Sequence, residues 1–150
     1  MFRKPTLIII CGWPLSGKST IAKIVHKRVN GGYKSPSIPN VHWVDIDDLR
    51  KVCVGTPYPH PDESEALMKK DNTEMSGAYT LLFETARWHL NNRRSCIITA
   101  TFSRQTRQDR IREILNETAL AQEDRKPARL RVIQCLLHED QKDEVEVRLA

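Results

Sequence analysis

The stretch that decides the fold is CGWPLSGKST, Cys11 to Thr20. It follows TLIII, Thr6 to Ile10, and precedes IAKIVHKRV, Ile21 to Val29. Gly12, Gly17, Lys18 and Ser19 satisfy the spacing G-x-x-x-x-G-K-[ST]. The context matches the mechanism of that spacing. TLIII is a continuous apolar, β-branched run, as in a strand buried on both faces of a parallel sheet. Ser19 to Val29 carries Ile21, Ile24, Val25 and Val29 at helical spacing. A glycine loop between such a strand and such a helix lets backbone N–H groups approach phosphates closely. The helix N-terminus adds a partial positive charge.

This mechanism gives each residue an expected role. Lys18 is expected at the β- and γ-phosphates of ATP, and Ser19 on Mg²⁺. The whole cradle, Gly12, Trp13, Pro14, Leu15, Ser16, Gly17, Lys18, Ser19 and Thr20, is expected to line the nucleotide.

Working outward, NGGYKSPSIPN ends the first helix, because Gly, Pro, Ser and Asn cluster there. VHWVDI, Val41 to Ile46, reads as a second strand and DDLRKVCV as a short helix. GTPYPHPDES, Gly55 to Ser64, is a Pro-rich loop. Met68 to Leu90 reads as a long helix with Met75, Tyr79, Leu82, Phe83, Ala86 and Leu90 on one stripe. SCIITAT, Ser95 to Thr101, is a third strand, and RQTRQDRIREILNETALAQ a helix with a basic first half. ARLRVIQCLL, Ala128 to Leu137, is a fourth strand, and DQKDEVEVRLA opens a last helix. Strands alternating with helices predict βαβ units and a mostly parallel sheet in one domain, residues 1–150.

Composition narrows the class. The longest apolar run, LIII, is too short to span a bilayer, and no signal-peptide pattern opens the chain. The four cysteines show no CxxC spacing and no nearby paired histidines, so neither a metal site nor a disulfide framework is expected. A reducing, cytoplasmic compartment follows as an expectation. The net charge of +5 suits an anionic substrate but equally a solvated surface rich in arginine. GTPase switches need [NT]KxD and DxxG elements, and neither string occurs.

VDIDDLR is the more useful clue to chemistry. Asp47 and Arg50 lie three apart, so on a helical turn they share a face beside the loop. A carboxylate there can accept a hydroxyl proton from an acceptor, and an arginine beside it can hold an anionic group. The other reading makes Asp47 or Asp48 a helix cap. Both stay open on spacing alone. Arg104, Arg107, Arg110 and Arg112 crowd one helix, which is more often a solvated face than an acceptor guide. His42, His60 and His89 read as isolated structural residues, and His26 as exposed.

Taken together, GWPLSGKST, DDLR and IITATFSR with its Arg-rich helix resemble the small P-loop kinases grouped as AAA-type kinases. These are similar to the kinase domain of phage polynucleotide kinase, to zeta toxins and to chloramphenicol phosphotransferase. The resemblance implies a three-layer P-loop fold with strand order 2-3-1-4-5 and transfer of the ATP γ-phosphate to a hydroxyl. It implies Lys18, Asp47 and Arg50 as catalytic residues, Asp47 as general base and Arg50 as the acceptor-positioning arginine. The expected partners are ATP, Mg²⁺ and a hydroxyl acceptor, phosphorylated or nucleic acid among the candidates, with no membrane. There are departures: Leu15 stands where the family loop has a glycine, and Thr99 where its third strand commonly carries an acid. Asp45 on the neighbouring strand is the expected substitute beside Mg²⁺, since alternation along a strand points Asp45 and Asp47 the same way. The family continues past EVRLA into a lid and a fifth strand. The chain is therefore expected to be incomplete at its C-terminus, with strand order 2-3-1-4. A nucleotide-binding module without catalysis and a P-loop ATPase are the alternatives.

Overall fold

The structure, a computed structural model, describes residues 4–13, 16–31, 41–54, 65–102, 105–122 and 126–136. In chain order these form β1 (Thr6–Gly12), α1 (Lys18–Val29), β2 (His42–Asp45), α2 (Ile46–Val54), α3 (Glu65–Asn91), β3 (Cys96–Ala100), α4 (Gln105–Leu120) and β4 (Arg129–Cys135). The strands make one parallel sheet in the order β2-β3-β1-β4, as the resemblance implies.

The apolar run of β1 is explained by its place between β3 and β4 with both faces covered. Its side chains alternate. Leu7 and Ile9 meet Tyr79, Leu82, Phe83 and Ala86 of α3 and Ile111 and Ile114 of α4. Ile8 and Ile10 meet Ala22 of α1 with Val41 and Ile97. Each such buried side chain contributes about 1.5–3 kcal/mol. The split into two cores follows from handedness. The chain steps one way across the sheet from β1 to β2 and the other way from β2 to β3 to β4. Right-handed crossovers therefore put α1 on one face and α3 and α4 on the other. The loops after β1 and β3 diverge at this switch point, where open α/β sheets hold their ligands.

Several sequence expectations shift in detail. The second strand stops at Asp45, and Ile46 already begins α2. His42 and His89, read as isolated, stack with ring centroids 5.0 Å apart at the far end of the sheet. His26 is half-buried rather than exposed. The last predicted helix, Pro14, Leu15, His60 and Arg104 lie outside the described residues, as does the side chain of Met75. Among the described residues no helix is long and apolar enough to cross a membrane.

Candidate functional site

Three loops meet at the carboxyl ends of β1, β3 and β2. After β1, Gly12 has φ 148°, and a Cβ there would lie 2.4 Å from the Cys135 carbonyl oxygen and 2.9 Å from Ser16 Oγ. Only glycine fits such a conformation in so small a space. The Ser16 N–H donates to the Trp13 carbonyl at 3.2 Å, and Gly17, at φ 87°, is the N-cap of α1. Lys18 Nζ then folds back across the loop, donating to the carbonyls of Gly12 at 2.9 Å and Trp13 at 2.8 Å. Ser16 Oγ is buried in the same loop without a hydrogen-bond partner. Ser19 and Thr20 lie exposed on the first turn of α1, and Trp13 is 63% exposed above it. A glycine-lined hollow, an orphaned hydroxyl and a lysine held across the mouth fit a phosphate chain with its Mg²⁺.

After β2, Asp45 Oδ1 accepts the Asp47 N–H at 2.8 Å, which makes Asp45 the cap of α2. This corrects the capping expectation: neither Asp47 nor Asp48 is the cap. Asp48 points outward and pairs with Lys51 at 3.9 Å. Asp47 is half-buried and sits one turn above Arg50. Because the strand ends at Asp45, alternation along it does not set the direction of Asp47. Both carboxylates nevertheless bear on Lys18. Burial pulls the Lys18 pKa below the usual lysine range, while Asp47 first and Asp45 second push it back up. Nucleotide lysine and candidate base thus share one electrostatic site. Arg50 is 0% exposed, so its guanidinium does not reach solvent in this conformation.

Asp45 lies directly across from Thr99, which lies across from Ile10. Thr99 is buried and its Oγ1 accepts the Trp43 indole N–H at 3.0 Å. Asp45 therefore stands one strand over, a backbone spacing of about 4.8 Å, from the position where an acid was expected.

After β3, Thr101 Oγ1 and the Tyr79 hydroxyl are 3.2 Å apart. Phe102, at φ 52°, turns its ring edge-on to Tyr79 at 6.0 Å. The Arg107 guanidinium lies 3.5 Å above the Tyr79 ring. Sequence reading placed Tyr79 in a core stripe and Arg107 in a solvated run, so this contact was missed. The other described arginines of that run behave as a solvated face. Arg110 pairs with Glu113, Glu117 and Glu84, and Arg112 with Asp109.

On the far side of β1 an open groove of about 630 Å³ runs between α4 and β4. Its floor is Ile9, Cys11, Leu130 and Val132, and Trp13 and Phe102 stand at its upper end. Among the described residues, α3 and α4 cover β2, β3 and β1 and leave this face of β4 open.

A family model described as an AAA domain matches residues 7–141. The chain belongs to this AAA domain family. Among solved structures, a provisionally assigned kinase from Chloroflexus aurantiacus superposes with a TM-score of 0.69 at 18% identity, covering 99% of this chain and 68% of that one. A chain of the Pnkp1/Rnl/Hen1 RNA repair complex gives 0.62 at 21% identity, over 99% of this chain and 39% of that one. Kti12 of Chaetomium thermophilum, solved with ADP-AlF3, gives 0.54 at 19% identity, over 95% and 66%. These similarities establish the P-loop α/β fold. No curated protein sequence matches the chain.

Proposed function

We propose that this AAA domain is an ATP-dependent phosphotransferase that moves the γ-phosphate of ATP to a hydroxyl. The observation that carries the reading is the shared field of Lys18 and Asp47. A carboxylate beside the phosphate lysine serves Mg²⁺ in P-loop ATPases as well; here Ser19 and Asp45 are assigned to the metal, which leaves Asp47 to accept the hydroxyl proton. In the proposed step the acceptor oxygen bonds to the γ-phosphorus and the bond to the bridging oxygen of ADP breaks. The acceptor proton passes to the Asp47 carboxylate. Lys18 holds the phosphates, and the loop residues Gly12 to Thr20 line them through their N–H groups, apart from Pro14, which has none. Arg50, buried one turn from Asp47, lends positive charge beside it. Ser19 and Asp45 would hold Mg²⁺, which offsets phosphate charge when bound. A nucleotide in one similar fold and an RNA repair complex in another support ATP as donor and keep phosphorylated or nucleic-acid acceptors in view.

Thr99 favours a second reading, nucleotide binding without transfer, because its hydroxyl is committed to Trp43 and supplies no charge. Incubation with γ-labelled ATP, Mg²⁺ and a panel of hydroxyl acceptors separates the two. Label moving to an acceptor supports the transferase. Binding with no transfer to any acceptor supports the second reading, and release of inorganic phosphate alone supports an ATPase.

A further inference from the structure

We propose that the Thr101 hydroxyl donates a hydrogen bond to the terminal phosphate of the bound nucleotide. The inference rests on the phosphotransferase reading and adds a contact to the group being transferred. β3 is the strand between the two halves of the site. Its Ala100 pairs with Cys11, which precedes the loop glycine, and its Thr99 pairs with Asp45. A γ-phosphate that reaches from Lys18 toward Asp47 therefore crosses the carboxyl end of β3. Thr101 is the first residue beyond that end. It is half-buried and lines the same groove as Gly12 and Trp13.

The Thr101 hydroxyl has a proton to give. Its Oγ1 and the Tyr79 hydroxyl lie 3.2 Å apart, and either group can be the donor. Burial decides between them. Tyr79 is 4% exposed, and among the described residues its hydroxyl has no other hydrogen-bond partner. With Thr101 as donor, the phenol proton would be left buried and unpaired, the costlier arrangement. With Tyr79 as donor, the proton left over is the one on Thr101. Of the two residues, Thr101 is the one that borders the groove.

The next residue shows that this turn is held under strain. Phe102 has φ 52°, a conformation unfavourable for a bulky side chain. Its ring packs edge-on to Tyr79 at 6.0 Å and lies 6.2 Å from that of Phe83, and its carbonyl accepts the Gln108 side-chain N–H at 3.0 Å. Backbone strain fixed by surrounding contacts collects at ligand sites, where it sets the direction of a neighbouring group. A purely structural Thr101 would serve only as the acceptor for Tyr79.

Calorimetric titration with ADP and with a non-hydrolysable ATP analogue, each with Mg²⁺, separates the two roles. Thr101→Val keeps the shape and removes the proton. It should weaken the analogue about tenfold to a hundredfold, the worth of a hydrogen bond to a charged group, and leave ADP near the parental affinity. Thr101→Ser should restore the parent's preference. Thr101→Val also takes the acceptor from Tyr79, so the double variant Thr101→Val with Tyr79→Phe, which removes the orphaned phenol, is titrated beside it. It should show the same selective loss. Equal weakening of both nucleotides, or unchanged affinity for both, overturns the proposal. A parent that binds neither nucleotide overturns the nucleotide reading and this contact with it. The selective loss in a protein that transfers phosphate to no acceptor supports the contact and defeats only the transferase reading.

Discussion

The β1–α1 loop and the β2–α2 junction hold the two halves of the proposed chemistry and are built in opposite ways. The first is a backbone device: Gly12 and Gly17 take glycine conformations, and the Lys18 ammonium donates to carbonyls of the loop itself. The second is a side-chain device: Asp45 caps the helix, and that cap sets where Asp47 stands. A backbone device depends on a short string of residues and is insensitive to its neighbours. A side-chain device depends on where a strand stops, and one residue decides it. Variants at the two places should therefore fail differently.

The largest effect is expected at Lys18. Lys18→Ala removes a charged donor from the phosphates and should weaken binding of an ATP analogue about a hundredfold or more. Calorimetric titration measures it, with stability little changed because the lysine bonds only to two loop carbonyls. Unchanged affinity would remove the contrast, since the loop would then not be the nucleotide site.

A smaller effect, on stability rather than binding, is expected at Asp45. Asp45→Ala should cost about 1 kcal/mol through loss of the cap, and Asp45→Asn should melt near the parent because Asn caps equally well. Thermal melting of the pair sharpens the comparison. If both variants melt like the parent, the junction is not held by its cap.

The smallest effect lies far from both loops, in the stacked His42–His89 pair. Burial, then His42 and Arg94, hold the His89 pKa below the usual imidazole range. A histidine whose pKa is lowered by folding leaves the unfolded chain with more bound protons at acid pH. Stability is then complete above about pH 6.5 and falls as pH drops below that value. The slope per titrating group is at most about 1.4 kcal/mol per pH unit. His89→Phe keeps a ring in place and should flatten the melting temperature between pH 7 and pH 5. An undiminished slope would place the acid sensitivity elsewhere.

Legibility in sequence followed the same divide. The nucleotide loop was readable because its function is written in contiguous residues, and β1 because burial on both faces leaves a continuous apolar run. The strand order came with the family resemblance. The cap was misplaced because the period of two along VHWVDI runs past Asp45 without a mark, while the chain turns helical at Ile46. The Tyr79–Arg107 stack was invisible because its members lie on different helices, and only packing of α3 against α4 brings them together. Tyr79 fits an apolar stripe and Arg107 a charged run, so neither stood out. The His42–His89 pair likewise joins the start of β2 to the end of α3.

The central claim is that the carboxylate beside the nucleotide loop accepts the acceptor's proton. Asp47→Asn tests it most directly, because Asp47 is not the cap and the substitution removes charge while keeping shape. The measurement is the rate of γ-phosphate transfer to a hydroxyl acceptor, taken beside ATP affinity and melting temperature on the same protein. The account predicts normal ATP binding, a near-parental melting temperature and transfer slowed about a hundredfold to ten-thousandfold. Transfer at the parental rate would contradict it.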